Sequence, residues 1–490
     1  MLRRTALLAP LLFALACQAR PPGQKLASGI ARELTVAKGW VAFLLDAAHP
    51  DDRAVPDDLF IGDLWLAPLD GAAKKVGSAV SSQPGAFAFS PKTGELAFLA
   101  SWRFRGGEGE LWIASPEPAQ IAPAASDLAW STADATLAWV APNHLGLRGR
   151  PAVPLDGLRS FAWSPDGKRL AGRASAAAGG TLWLVDVATG SKREVAPGTS
   201  DFAFASDGSL AVLGPPPPKG GDRPLLVDGK EIARATAMRF SPDARELALL
   251  STARQPGEAM GDLYRMPRTG GAPRLVAQRV SDYHWHGSDL LCLAKYDLRA
   301  RAGALTVSPA GGGAPREIAP KVQSWVAQGR SVLYLAQAPL KGDYKIELWA
   351  ADLDSAAPPR KIDDGVYGWQ VSPDGSLLYY KARCAMGPRS CSLLRAPMDG
   401  SAPATFLAAN VAGFDLSADG SRILLEQPHR GATRAVDLAV IPARGAPPAI
   451  VKPFAEEADA SARFADAQGK RVVFATLTAG KGGVYAADVP

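Results

Sequence analysis

Beyond its first residues the chain has no stretch approaching ~18 consecutive apolar residues, so no second membrane span is expected. It also has no run of like charges. A formal charge of +6 over 490 residues is small, and nucleic-acid binding is not expected. No G-x-S-x-G elbow, no H-E-x-x-H and no Walker-type loop occurs. Those absences remove the local signatures of serine hydrolases, zincins and P-loop enzymes. Only five histidines are present: His49, His144, His284, His286 and His429. What remains is ordinary for a soluble globular protein, with 47% hydrophobic and 21% charged residues. The length allows two or three domains.

The N-terminus carries a targeting pattern. Arg3 and Arg4 precede an apolar run from Ala6 to Ala16, and Cys17 follows directly. A run this short reads as a signal peptide. Small residues before a cysteine resemble the bacterial lipobox, in which that cysteine becomes the lipidated first residue. Ala14 departs from the leucine preferred there, whereas Leu15 and Ala16 fit. The expectation is a signal over residues 1–17, lipidation of Cys17 and a Pro/Gly-rich tether over 18–33. Gln18, by the same resemblance, points to the outer membrane facing the periplasm. An ordinary cleaved signal with an incidental cysteine is the alternative; both readings place the mature chain in the cell envelope.

Internal repetition decides the fold class. FAFSPKTGELAFLA from Phe87, FAWSPDGKRLAGRA from Phe161, FAFASDGSLAVLG from Phe202 and MRFSPDARELALLS from Met238 align. WQVSPDGSLLYYKA from Trp369 and FDLSADGSRILLEQ from Phe414 join them, with weaker copies from Leu34, Leu128, Tyr283, Trp325 and Ala462. In the strong copies apolar residues alternate, a Ser-Pro-Asp-Gly-like turn follows, and a second β-rich strand returns, whereas the Leu34 copy lacks the turn signature but keeps the second strand. A further strand recurs after each hairpin, as in GDLWLAPLDG from Gly62 and GTLWLVDVATG from Gly180. A weaker fourth strand comes next, giving four short strands per ~33–47 residues, the spacing of a propeller blade.

These motifs resemble the TolB-type propeller repeat, also found in the propeller domains of prolyl-oligopeptidase-like and tricorn-type proteases. The resemblance implies an all-β chain of about eleven four-stranded blades, and a scaffold rather than an activity. Eleven units exceed the usual 4–8 blades, so two tandem propellers are the simplest expectation. GPPPPKGGDRP from Gly214 is the candidate boundary, giving a first propeller over 34–214, a linker over 215–223 and a second propeller over 224–490. A long loop on one blade is the rival reading, and a single large ring remains open. The strand from Gly483 has no fourth strand after it, so a strand from the other terminus would complete its blade.

Few residues suggest chemistry. Asp282, His284 and His286 lie close in SDYHWHGSD and are weak metal candidates, but they occupy a degenerate hairpin copy, so structural roles are the plainer reading. The acidic loop from Asp46 to Asp58 lacks the spacing of a calcium loop and reads as solvated. Cys384 and Cys391 flank a short loop and are expected to form a disulfide in an oxidising envelope, with Cys292 left reduced on a buried strand. Most tryptophans fall on core positions. No cofactor is expected.

Function is then expected from the scaffold: a non-enzymatic envelope lipoprotein that binds a protein or peptide. A propeller hydrolase or lyase with dispersed acids is one alternative, and a carbohydrate- or cell-wall-binding module is another. Connections between the second and third strands vary in length and chemistry, as recognition loops do. Arg103, Arg105, Lys341 and Tyr344 on them are the expected contacts.

Overall fold

The computed structural model describes residues 23–489 apart from 51–55, 57, 105, 116, 175–179, 219, 252–259, 341–342, 386–389, 430–434, 447, 449–450, 452, 459–461 and 477–481. Cys17 and the signal therefore lie outside the described residues.

The repeating hairpin follows from its turn chemistry. Ser164, buried under its own turn, donates its hydroxyl to Asp166 at 2.6 Å and accepts the Arg169 amide at 2.9 Å. Asp166 also accepts the Lys168 amide at 3.1 Å. Ser241 with Asp243, Ser372 with Asp374 and Ser417 with Asp419 repeat the arrangement at 2.6, 2.6 and 2.7 Å. The serine hydroxyl holds Asp166, Asp243 and Asp374 below the usual carboxylate range. That contribution to stability is present above the unfolded carboxylate pKa and fades as the pH falls through the lower folded value.

Each hairpin opens a four-stranded antiparallel meander, strands A to D in chain order. Blades 1 to 6 occupy residues 31–81, 87–125, 127–154, 158–199, 201–235 and 237–280. Blades 7 to 10 occupy 282–322, 324–364, 369–411 and 413–458. The long strand Arg316–Gln328 is both the D strand of blade 7 and the A strand of blade 8, with a register break between Val322 and Ser324. Blade 11 takes its first three strands from residues 463–488, and its fourth is Gln24–Ser28, antiparallel to Gly483–Asp488.

The hydrophobic core is divided among the seams between blades. Eleven apolar clusters join blade 1 to 2, 2 to 3, and so on to 10 to 11 and 11 to 1. Leu26, Val473 and Val484 of blade 11 pack with Val41, Phe43 and Leu45 of blade 1. The molecule is thus one closed eleven-bladed ring.

Two expectations need correction. The boundary at 214–224 lies inside blade 5, because Leu210–Leu213 pairs with Arg223–Val227 across it. The prolines form a loop, and the seam from blade 5 to blade 6 is as continuous as the others, so the chain is not two tandem propellers. The tether also does not extend to residue 33, since Gln24–Ser28 and Ala31–Ala37 are strands. Leu26 is buried there against the blade 1 seam.

Polar clasps reinforce the seams. Indole N–H groups on A strands donate backwards: Trp130 to the Ala88 carbonyl at 3.0 Å, Trp163 to Ala129 at 3.2 Å and Trp285 to Arg239 at 3.2 Å. These tryptophans are structural. Arg265 of blade 6, 3% exposed, pairs with Glu246 and donates to the Ser288 and Pro309 carbonyls of blade 7 at 3.1 and 2.9 Å. Its guanidinium lies 5.1 Å from the Trp285 ring centre. A buried cation is tolerable only when satisfied in this way.

Turns of neighbouring blades touch as well. A Cβ on Gly167, at φ +70°, would lie 2.8 Å from Ser131 Oγ and 2.9 Å from Ala133 Cβ. Ala244 holds the corresponding left-handed position in blade 6 at φ +59° without being glycine. Gly167→Ala is expected to cost about 1 kcal/mol or more, and Ala244→Gly to contribute about 0.5–1 kcal/mol. Thermal melts of the two variants should shift in opposite directions; equal melting temperatures would contradict the turn assignment.

Candidate functional site

The meander gives the ring two unlike faces. A–B and C–D turns share one, the turn face. B–C loops and D–A crossings share the other, the loop face. Of the residues expected to contact a partner, Arg103 stands exposed at the loop-face end of the B strand of blade 2, 3.6 Å from Glu108, its partner in the C strand. Arg105 and Lys341 lie outside the described residues. Tyr344 belongs to the C strand of blade 8, Asp343–Asp352, with its side chain also outside them.

The weak metal candidates are engaged otherwise. Arg239 donates to His284 Nδ1 at 2.6 Å, and a guanidinium has no acceptor to offer. His284 Nδ1 is therefore the acceptor, which places the proton on Nε2, 3.1 Å from Asp282. His286 turns away to the Gly329 carbonyl at 2.6 Å. Among the described residues no group of three or more potential ligands could hold a metal ion. Cys384 and Cys391, the latter opening the C strand, are disulfide-bonded across the B–C loop of blade 9. Cys292 is free and buried, its thiol pushed up to about 12 by desolvation.

Polar residues gather on the inner strands of one arc. The middle position of strand A is Ala88, Ala129, Ala162 and Ala203 in blades 2 to 5. In blades 6, 7, 9, 10 and 11 it is Arg239, His284, Gln370, Asp415 and Arg463, with the apolar Val326 in blade 8. Between blades 9, 10 and 11 a cavity of about 410 Å³ is lined by Gln370, Asp415, Glu426 and Arg463. Gln370 is locked, its amide donating to the Phe414 carbonyl at 3.3 Å and accepting from the Leu416 amide at 3.1 Å. Gly413 lets the Glu426 carboxylate lie against the backbone; a Cβ there would sit 2.2 Å from Glu426 Oε2. Lys381, lowered by desolvation, has its ammonium on the Ala412 carbonyl and feels the Glu426 charge. The cavity thus offers two carboxylates and one guanidinium on a rigid backbone. Gly413 and Glu426 are paired at the loop-face end of their strands.

A second cavity of about 370 Å³ lies on the loop face at blades 7 and 8, lined by Lys295, Asp297, Glu317, Lys321 and Gln337. Its rim loop is pinned from both sides. Arg279 donates to the Tyr296 carbonyl at 2.9 Å, and Gln337 to that of Ala300 at 2.6 Å. Asp297 accepts the Arg299 and Ala300 amides at 2.8 and 3.2 Å. Leu298 stands 64% exposed at the tip.

His429, at the loop-face end of blade 10, contacts Asp437 at 2.6 Å and lies 3.6 Å from Glu457. The hydrogen bond to Asp437 raises its pKa above the ordinary value.

No family model matches the chain, and no curated protein matches it. Among solved structures it is similar to that of a eukaryotic initiation factor, at 13% identity and TM-score 0.40, over 74% of this chain and 92% of that one. It is similar to the tricorn protease at 12% identity and TM-score 0.31, over 81% of this chain and 44% of that one. An oligogalacturonate lyase in complex with manganese is similar at 13% identity and TM-score 0.31, over 74% and 96% of the two chains. Overlap this slight assigns no activity, substrate or metal to the chain. The class its own sheets define is an all-β propeller.

A proton titration of His429 by NMR should show a midpoint above 6.5, and Asp437→Asn should lower it. The sign follows from linkage: the pair's stability is present below the unfolded histidine pKa and is lost as the pH rises through the folded value. An unchanged midpoint in Asp437→Asn would remove the pair from the account.

Proposed function

We propose that the protein is a lipid-anchored cell-envelope protein whose propeller binds a protein or peptide partner on its loop face. The N-terminal Arg3, Arg4, apolar run and Cys17 support export and anchoring, and Gln18 supports the outer membrane facing the periplasm. The resemblance to the TolB-type repeat supports a scaffold role. The observation that carries the reading is the arc of Arg239, His284, Gln370, Asp415 and Arg463, substituting polar side chains where blades 2 to 5 hold alanine. Arg239, His284 and Gln370 bridge neighbouring blades, whereas Asp415, Glu426 and Arg463 line a cavity that a polar ligand would fit. Both signs of charge in one cavity suit a peptide backbone with its own charged groups. Two carboxylates there, Asp415 and Glu426, also suit the hydrolase or lyase reading.

The test is capture from solubilised envelope by purified wild-type protein and two variants. Asp415→Ala/Arg463→Ala is expected to lose about tenfold or more of the captured partner, equivalent to about 1.4 kcal/mol, with an unchanged melting temperature. Lys168→Ala on the turn face should capture normally. Loss of capture in Lys168→Ala alone would overturn the face assignment. Retention on peptidoglycan would favour the carbohydrate reading, and turnover abolished by Asp415→Ala the enzymatic one.

A further inference from the structure

We propose that the lipid at Cys17 holds the ring with its turn face toward the membrane and its loop face toward the aqueous compartment. The inference rests on the anchoring stated above and adds an orientation to it. The strand that closes the ring supplies the geometry. Gly483–Asp488 is the C strand of blade 11 and runs from the loop face to the turn face. Gln24–Ser28 is antiparallel to it, with Gln24 opposite Ala486 and Ser28 opposite Gly483. Gln24 therefore sits at the turn-face end and Ser28 at the loop-face end.

Contacts at both ends agree. A Cβ on Gly23 would lie 2.2 Å from the Ala486 carbonyl, so the chain enters tightly against the end of the C strand. Just beyond, the Val489 amide donates to the Lys470 carbonyl at 2.7 Å, and Lys470 belongs to the A–B turn of blade 11. At the other end the Gly29 amide donates to the Gly482 carbonyl at 3.1 Å, where the C strand begins.

Chain length then decides the orientation. Seven residue steps separate Cys17 from Gln24, a reach of at most ~25 Å when fully extended. A seven-residue strand, the height of a blade, spans ~23 Å. Turning the loop face to the bilayer would use nearly the whole tether in climbing the blade. With the turn face down, the same residues leave the ring directly toward the lipid. The short and uniform Ser-Pro-Asp-Gly turns then face headgroups. The cavity of Asp415, Glu426 and Arg463 and the pinned loop around Leu298 open away from the bilayer. The partner is accordingly a soluble or peripheral protein reached from the aqueous side, not a neighbour embedded in the same leaflet.

The experiment uses the lipidated full chain in phosphatidylethanolamine–phosphatidylglycerol vesicles carrying headgroup nitroxides. Single thiols are placed on opposite faces of one blade, Lys92→Cys on the turn face and Arg103→Cys on the loop face, and labelled with a fluorophore. Gln468→Cys on the turn face of blade 11 is a second reporter. Cys292 is buried and Cys384 is bonded to Cys391, so the introduced thiol is the one labelled. Loss of most of the fluorescence at Lys92→Cys and Gln468→Cys, with little loss at Arg103→Cys, is the expected result. Equal quenching on both faces, or stronger quenching at Arg103→Cys, overturns the orientation. Mass spectrometry of the same samples separates the two claims: a Cys17 without a diacylglyceryl adduct overturns the anchoring itself, whereas an acylated Cys17 with a quenched loop face overturns only the orientation.

Discussion

Four residue pairs, from Gln24 with Ala486 to Ser28 with Gly483, hold together two segments separated by almost the full length of the chain. Without them the strand Gly483–Asp488 would end the last blade as a bare edge, and the seam between blades 11 and 1 would lose Leu26. An open arc of blades exposes two unpaired sheet faces, and a closed ring exposes none. Each of the other ten seams gains rigidity from that closure, because a blade can tilt only if both its neighbours yield. The constraint is topological before it is energetic.

Rigidity is what places the candidate site. Gln370, Asp415 and Arg463 come from three blades, and their spacing is set by how those blades pack rather than by any local sequence. The seams that fix it mix apolar contact with directed bonds: Tyr379 and Leu393 against Ile423 and Leu425, and Arg395 on the Ala443 carbonyl at 2.9 Å. Arg265 performs the same office between blades 6 and 7. The polar arc can therefore hold charged groups at fixed separations. The loops above it take no part in the ladder and are free to differ in length and chemistry.

The hairpins were the legible part of the fold, because a Ser-Pro-Asp-Gly turn is encoded within a few residues and its alternating strands follow. Fourth strands were scarcely legible. Pro118–Ala125, PAQIAPAA, has no alternation, and QKLAS has one large apolar residue, so the closing strand reads as tether. Prolines 215–218 announce that no strand continues, but not that Leu213 and Leu225 pair across them. Ring size is a non-local property, and nothing in blade 5 or blade 6 states it. The candidate cavity was hidden differently. Asp415 and Arg463 sit within repeats aligned for their apolar residues, and the telling signal is the change from alanine at one middle position. Loop residues such as Arg103 were visible from length variation alone, which says where recognition is possible and not which side chains converge.

The order in which the ring is assembled follows from the closing strand. Gln24–Ser28 is made first and finds its partner only when Gly483–Asp488 has been made. Every other strand pairs with a neighbour close behind or ahead in the chain, so blades can form one after another as the polypeptide lengthens. The first segment must meanwhile remain unpaired and soluble through the synthesis of ten blades. Its composition suits that wait: Gln24, Lys25 and Ser28 keep it polar, and only Leu26 and the small Ala27 go to the seam. A more hydrophobic strand would close the finished ring more tightly and would be a sticky end for the whole of its making.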